Sequence, residues 1–182
     1  MKLYFVTVNP DKAAELSMHF LESGIDVQQV PHQIQEILHL ELDEIVRQKA
    51  LSAYRYLSRP CVVEHGGVFV RALNDLPGGL TKEVWETVGG KICDFLGPED
   101  DRNAVVRSVA GYCDGRRIHL FRGETQGSLP LRAAGQSGFG WDPIFIPEGS
   151  EKTFAEMSSA EKAEHAPLIK TWNALRESLA QA

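Results

Sequence analysis

Residues 43–57 set the strongest constraint on the fold. Ile45, Val46, Ala50, Ala53, Tyr54 and Leu57 form an apolar stripe at helical spacing, and most of the charges occupy the opposite face. Arg59-Pro60 closes this helix, and Cys61-Val62-Val63 follows as a short strand of buried type. Upstream, Leu3–Val8 reads as a strand, and Asn9-Pro10-Asp11 breaks it. A helix then starts at Lys12, with Leu16, Phe20 and Leu21 on one face, and ends at Ser23-Gly24. Ile25–Val30 is a second strand, stopped by Pro31. Strands alternating with helices of this length predict an α/β domain.

Downstream, Glu64-His65-Gly66-Gly67 reads as a polar, glycine-rich break before another short strand, Val68-Phe69-Val70. Pro77-Gly78-Gly79 is a turn, residues 82–96 are helical with an interruption at Gly89-Gly90, and Gly97 to Asp101 is a surface loop. Residues 104–113 and 116–122 predict a hairpin around Cys113-Asp114-Gly115-Arg116. Gly127 to Gly140 reads as irregular, and Ile144-Phe145-Ile146 as a short apolar segment ended by Pro147. The tail from Ser158 to Leu179 is helical in composition, with Pro167 interrupting or restarting it. There is no repeat and no linker, so residues 1–182 are expected to form one domain.

The apolar fraction of 43% excludes a disordered chain. Nineteen Lys and Arg against 25 Asp and Glu give a formal charge of −6. No global basic field exists for a nucleic-acid polymer or an anionic membrane, although one basic cleft remains open to the chain. Cys61, Cys93 and Cys113 form no C-x-x-C pair, so neither a zinc knuckle nor a disulfide framework is indicated, and a cytoplasmic location is expected. No stretch approaches the ~20 apolar residues of a membrane span.

Four segments carry candidate chemistry. At Thr7-Val8-Asn9-Pro10-Asp11-Lys12 a strand turns into a helix, whose N-terminal amides favour anions; the plainer alternative is an Asn-Pro turn with a solvated lysine. Glu36, Glu41, Asp43, Glu44 and Glu64 are an acidic group of the kind that holds Mg²⁺ during phosphoanhydride hydrolysis. Of these, Glu41, Asp43 and Glu44 suit the first turn of the next helix better. Ser137-Gly138-Phe139-Gly140-Trp141-Asp142-Pro143 combines glycines, aromatics and an acid. It fits either a platform for a planar base or a tight turn that plugs the core. The fourth segment is Phe154-Ala155-Glu156-Met157 with Glu161-Lys162, near a helix capped by Ser158 or Ser159.

Together these segments resemble the inosine triphosphate pyrophosphatase family over nearly the whole chain. The family's T-G-N-x-x-K-x-x-E appears as Thr7-Val8-Asn9 through Lys12 to Glu15, and its Ala-Leu-Asn-x-x-Pro-Gly segment as Ala72 to Gly78. The most specific match is Gly138 to Pro147, continued by Thr153 to Met157 and Glu161-Lys162. The resemblance implies an elongated mixed central sheet with flanking helices in two lobes around a nucleotide cleft, and a homodimer. It implies that Thr7, Asn9, Lys12, Lys49 and Lys162 bind the phosphates, that Phe139, Trp141 and Asp142 contact the base, and that Glu36 and Glu64 lie around Mg²⁺.

The chain departs from the family at three places. The E-D-S-G motif reads Glu64-His65-Gly66-Gly67, so His65 replaces the Asp thought to ligate metal or activate water. An imidazole can act as a base but is a poor Mg²⁺ ligand. The S-H-R that reads a 6-keto purine falls on Ala166-Pro167-Leu168, and Val8 replaces a glycine. Three functions follow as expectations. The first is a nucleotide hydrolase releasing pyrophosphate, with altered substrate or mechanism and with His65 and Glu64 as catalytic residues. The second is a nucleotide-binding module without hydrolysis. The third is a hydrolase of a nucleotide's glycosidic bond.

Overall fold

A computed structural model describes residues 1–138 and 140–181. The first half runs β1 (Lys2–Val6), α1 (Pro10–His19), β2 (Asp26–Val30), α2 (Leu42–Leu57), β3 (Cys61–Val70), β4 (Leu76–Gly78) and α3 (Thr81–Val88). The second half runs β5 (Asn103–Cys113), β6 (Ile118–Ser128), β7 (Ile146–Pro147), α4 (Ser159–His165) and α5 (Pro167–Ala180). The seven strands form one sheet in the order β2-β1-β3-β5-β6-β7, with β4 also beside β3. β1 is parallel to β2 and β3, and the remaining pairs are antiparallel, so the α/β architecture has the expected mixed central sheet.

Side-chain alternation divides the core. Leu3, Phe5 and Val62 pack on one face with Leu16 of α1, with Phe20 just past its end, and with Leu168, Trp172 and Leu175 of α5. Val6, Cys61 and Val63 face the other way, onto Val46, Ala50 and Ala53 of α2. The order β2-β1-β3 sends the chain away from β1 in opposite directions, and right-handed crossovers then place α1 and α2 on opposite faces. The C-terminal end of β1 becomes the point where the two crossovers diverge, which is where a parallel sheet opens a ligand crevice.

β3 corrects the reading of two short strands. It is one ten-residue strand, paired with β5 along its length from Cys61↔Cys113 to Val70↔Ala104. The glycines do not end it. A Cβ on Gly67 would lie 2.3 Å from the Gly78 carbonyl oxygen, so the missing side chain admits β4 against the strand. The other edge of β3 is only partly covered. β1 pairs with Cys61 and Val62, and β4 with Val68 to Val70. Among the described residues, Val63–Gly67 has no strand on that side.

Smaller differences have local causes. β6 runs on to Ser128 because β5 pairs with it throughout, and α3 stops at Gly89, whose φ is +55°. The tail divides as its proline demands: Ser158 and Glu161 form a capping box for α4, and Pro167 opens α5. No described helix is long and apolar enough to cross a membrane.

Candidate active site

The turn after β1 is built by its own polar residues. The Thr7 hydroxyl accepts from the Asn9 amide at 3.1 Å, and Asn9 Oδ1 accepts from the amides of Asp11 and Lys12 at 2.9 and 3.2 Å. Asn9 is thus the N-cap of α1, with Pro10 in the first turn. Val8 is exposed and lies outside the left-handed region, so it replaces the family glycine without backbone strain. The cap sets Lys12 on the first turn, and its Nζ reaches Glu64 Oε2 at 2.6 Å.

Glu64 lies on the α1 side of β3, 5% exposed, where Ser108 of β5 donates to its Oε1 at 3.2 Å. Burial pushes its carboxyl up, but the Lys12 charge and hydrogen bond, helped by Lys49 and His65, outweigh this and hold it below the ordinary value. Lys49 comes from α2 and meets the uncovered edge of β3. Its Nζ donates to the Glu64 backbone carbonyl at 3.0 Å and to Glu36 Oε1 at 2.6 Å.

The side chain of His65 stands apart from that of Glu64. It points to the other face of the sheet, 6% exposed, with Nε2 3.1 Å from the Gly79 carbonyl and Nδ1 3.2 Å from Glu36 Oε2. That second contact is close without being an aligned hydrogen bond, and Glu36 Oε2 is otherwise a buried oxygen lacking a hydrogen-bond partner. Burial raises the Glu36 carboxyl, yet His65 and Lys49 together hold it far below the ordinary glutamate value. Glu36 stands on the strap between β2 and α2, which has no helix or strand of its own among residues 31–41. The strap docks on the turn after β4: the Gly79 amide donates to the Leu40 carbonyl at 2.7 Å, and a Cβ at Gly79 would come within 2.3 Å of the His39 carbonyl.

The third lysine arrives from α4. Lys162 Nζ lies 2.6 Å from Oδ2 of Asp142, which is 1% exposed. Gly138 makes room for this pair, since its φ is +80° and a Cβ there would stand 2.0 Å from Asp142 Oδ2. Trp141 is half-buried, with its ring edge-on to Phe145 at 6.3 Å and tilted against Phe154 at 6.2 Å. Phe139 lies outside the described residues.

Glu15, quoted only as part of a motif, belongs to the same cluster. It stands one turn after Lys12 on α1, and burial raises its carboxyl. Lys162 and Lys12 oppose that rise, whereas Asp142 and Glu64 add to it. The i, i+3 spacing from Lys12 was the available signal. Ser108 had none, because its role follows from the β3–β5 register.

Residues 3–178 match the sequence profile of the Ham1 family. The chain belongs to the Ham1 family. It is 39% identical to a dITP/XTP pyrophosphatase of Methanopyrus kandleri over 89% of this chain and 87% of that protein. A dITP/XTP pyrophosphatase of Thermococcus kodakarensis is 38% identical over 89% of this chain and 88% of its own length. Among solved structures, a HAM1 protein from Coxiella burnetii superposes with a TM-score of 0.88 at 22% identity, over 100% of both chains. The Staphylococcus aureus Ham1 protein gives 0.83 at 22% identity, over 98% of each chain.

Against this Ham1 background the altered motifs take on structural meaning. Pro167 and Leu168 are buried at the start of α5, and Leu168 packs with Phe5 and Trp172 in the core. Neither side chain carries a hydrogen-bonding group. The Mg²⁺ expected from the resemblance meets an unsuitable donor set. Glu36 offers one carboxylate oxygen with Lys49 and His65 against it, Glu64 is engaged by Lys12 and Ser108 on the other face, and an imidazole suits Mg²⁺ poorly. Among the described residues no group of three acidic, histidine or cysteine side chains could hold a metal. An open groove of about 540 Å³, lined by Phe69, Arg71, Gln126 and Glu148 among others, includes none of the cluster residues.

Proposed function

We propose that this Ham1 protein is a nucleotide hydrolase that converts a nucleoside triphosphate to the monophosphate and pyrophosphate in the crevice at the end of β1. One observation carries the reading. Lys12 and Lys49 both engage Glu64, one at its carboxylate and the other at its backbone carbonyl on the uncovered edge of β3. Lys162, paired with Asp142, is near enough to Glu15 of α1 to influence its carboxyl. Three cations on three helices suit a chain of phosphates. The relatives' names point to deaminated purine triphosphates such as dITP and XTP as the first substrates to test.

Each lysine holds a carboxylate in the substrate-free protein, and phosphate oxygens compete for the same ammonium groups. When a phosphate takes over Lys12, Glu64 loses the charge that keeps its carboxyl low and becomes a stronger base. It can then accept a proton as water adds to the α-phosphorus and pyrophosphate leaves. His65, with both ring nitrogens facing oxygens, orients the strap and Glu36 and does not take the proton. Thr7 and Asn9 shape the turn that presents Lys12, and Trp141 and Asp142 stand on the base side. The same reading carries a cytoplasmic homodimer acting on a small-molecule nucleotide.

The test is product analysis by mass after incubation with dITP, XTP, ITP and ATP, with and without Mg²⁺. Equal yields of nucleoside monophosphate and pyrophosphate are expected. Release of a free base, or binding with no turnover of any nucleotide, would overturn the reading in favour of a glycosidic-bond hydrolase or a binding module.

A further inference from the structure

Cys61 and Cys113 stand directly opposite each other on β3 and β5, and both are free thiols. Cys61 is the first residue of β3 and Cys113 the last of β5, so they form the end rung of that ladder, beside the turn that starts at Asp114. We propose that this pair is an oxidation site, at which hydrogen peroxide joins the two thiols into one reversible disulfide across β3 and β5.

The strand register supports it. Glu64 turns its carbonyl towards Lys49 on the uncovered edge, so the odd-numbered residues of β3 turn their polar groups towards β5. Cys61 and Cys113 are therefore a hydrogen-bonded pair, with Cα atoms about 5.5 Å apart. A disulfide spans that separation, and the Cβ atoms need approach by only about 1–2 Å. The end of a ladder yields to such a shift more readily than its middle, and its local opening admits a small oxidant. Both side chains point to the α2 face, in one core cluster with Ala50 and Ala53. Cys93 belongs to a different cluster, with Ile92 and Ile144. Burial orders the chemistry. Cys61 is 0% and Cys113 5% exposed, and burial, with Cys113 adding to it, pushes the Cys61 thiol up to about 12. That makes Cys61 a poor first nucleophile, while its place opposite Cys113 suits it to the second step. The Cys113 thiolate attacks one peroxide oxygen, the O–O bond breaks, and hydroxide leaves and takes up a proton. The Cys61 sulfur then displaces the hydroxyl of the resulting sulfenic acid, forming the S–S bond and releasing water. Two thiols lose two electrons and two protons in all, and one hydrogen peroxide becomes two waters.

The proposal rests on the register of β3 and β5, so it stands or falls separately from the hydrolytic reading. The experiment treats the folded wild-type protein with hydrogen peroxide at neutral pH, alkylates the remaining thiols in urea, and reads the products by mass. Loss of two hydrogen atoms is expected, with Cys93 alone alkylated. A Cys61–Cys113 cross-linked peptide should appear and vanish on treatment with dithiothreitol. The oxidised protein is expected to unfold at a higher urea concentration than the reduced one, because the bond constrains the unfolded chain. Peroxide-treated protein with all three thiols intact would overturn the proposal. So would sulfinic or sulfonic acid at Cys113 with no cross-link, a bond to Cys93, or a bond that forms only in urea. A lower urea midpoint after oxidation would also overturn it, since the native register would then not accommodate the bond. Cys61→Ser separates the two steps: Cys113 should stop at the sulfenic acid, which dimedone traps. If that variant does not fold, the wild-type peptide map and the urea midpoint decide.

Discussion

Glu64 and His65 are consecutive residues of β3 whose side chains serve opposite faces of the sheet. Glu64 turns towards α1 and Lys12, and His65 towards the strap and Glu36. A two-residue motif therefore controls two separate ion pairs, with Lys49 linking them through the Glu64 carbonyl and the Glu36 carboxylate.

Lys12→Ala should weaken nucleotide binding by about 1–3 kcal/mol, the range of a charge-assisted hydrogen bond. Calorimetric titration with a non-hydrolysable triphosphate measures it. The variant also leaves Glu64 buried without its nearest cation, so its midpoint in urea should fall. Unchanged affinity would remove Lys12 from the phosphate site.

Discrimination between bases should be modest. A site built to hydrogen-bond a substrate group gives large ratios, and Pro167 and Leu168 offer no such group. The ratio of kcat/KM for ITP over ATP is expected to stay below about 10³-fold. A ratio of many thousands would show that another residue reads the keto group.

Gly138→Ala should damage the Lys162–Asp142 pair without touching either residue. The added Cβ collides with Asp142 Oδ2, and the left-handed backbone at φ +80° adds its own strain. A loss of about 1–3 kcal/mol in stability is expected, with weaker nucleotide binding. Denaturant melts and binding titrations would detect both, and a variant that matched wild type in each would contradict this account of the turn.

Acid should act through Glu36. Its folded carboxyl lies below the ordinary value of 4.5, so the ionised form is favoured by folding. The stabilisation is fully present above that value and is lost as pH falls towards the lower folded value. Glu36→Gln should thus be less stable than wild type near neutral pH, with the gap narrowing below about pH 4. Urea denaturation across this range tests the sign, and a gap that widened in acid would reverse it.

Much of this arrangement was legible in the sequence where a local rule governs. The stripe from Ile45 to Leu57 fixed α2, the Asn9-Pro10-Asp11 break put the start of α1 at Lys12, two residues late, and Pro167 divided the tail. The motif resemblance points to Lys12, Lys49 and Lys162, each of which pairs with a carboxylate in the fold. Non-local contacts were not legible. Gly66-Gly67 signals a break in isolation, yet it is the approach of Gly78 from β4 that uses the missing side chain. The direction of His65 follows only once β3 is continuous: period-two alternation then turns its side chain away from that of Glu64. The position of Glu36 depends on a strap with no hydrophobic period at all, and only the docked turn at Gly79 shows where its carboxylate ends.

The uncovered stretch of β3 also has a kinetic consequence. Glu64 gives its carbonyl to Lys49 on that side, and in an antiparallel strand the amide of the same residue, and that of Gly66, point the same way. These amides rely on side chains and the strap for shelter, whereas their neighbours at Val63, His65 and Gly67 are locked into β5. Hydrogen exchange within one strand should therefore alternate, fast then slow, residue by residue. The fast positions report directly on whatever anion settles against the strand.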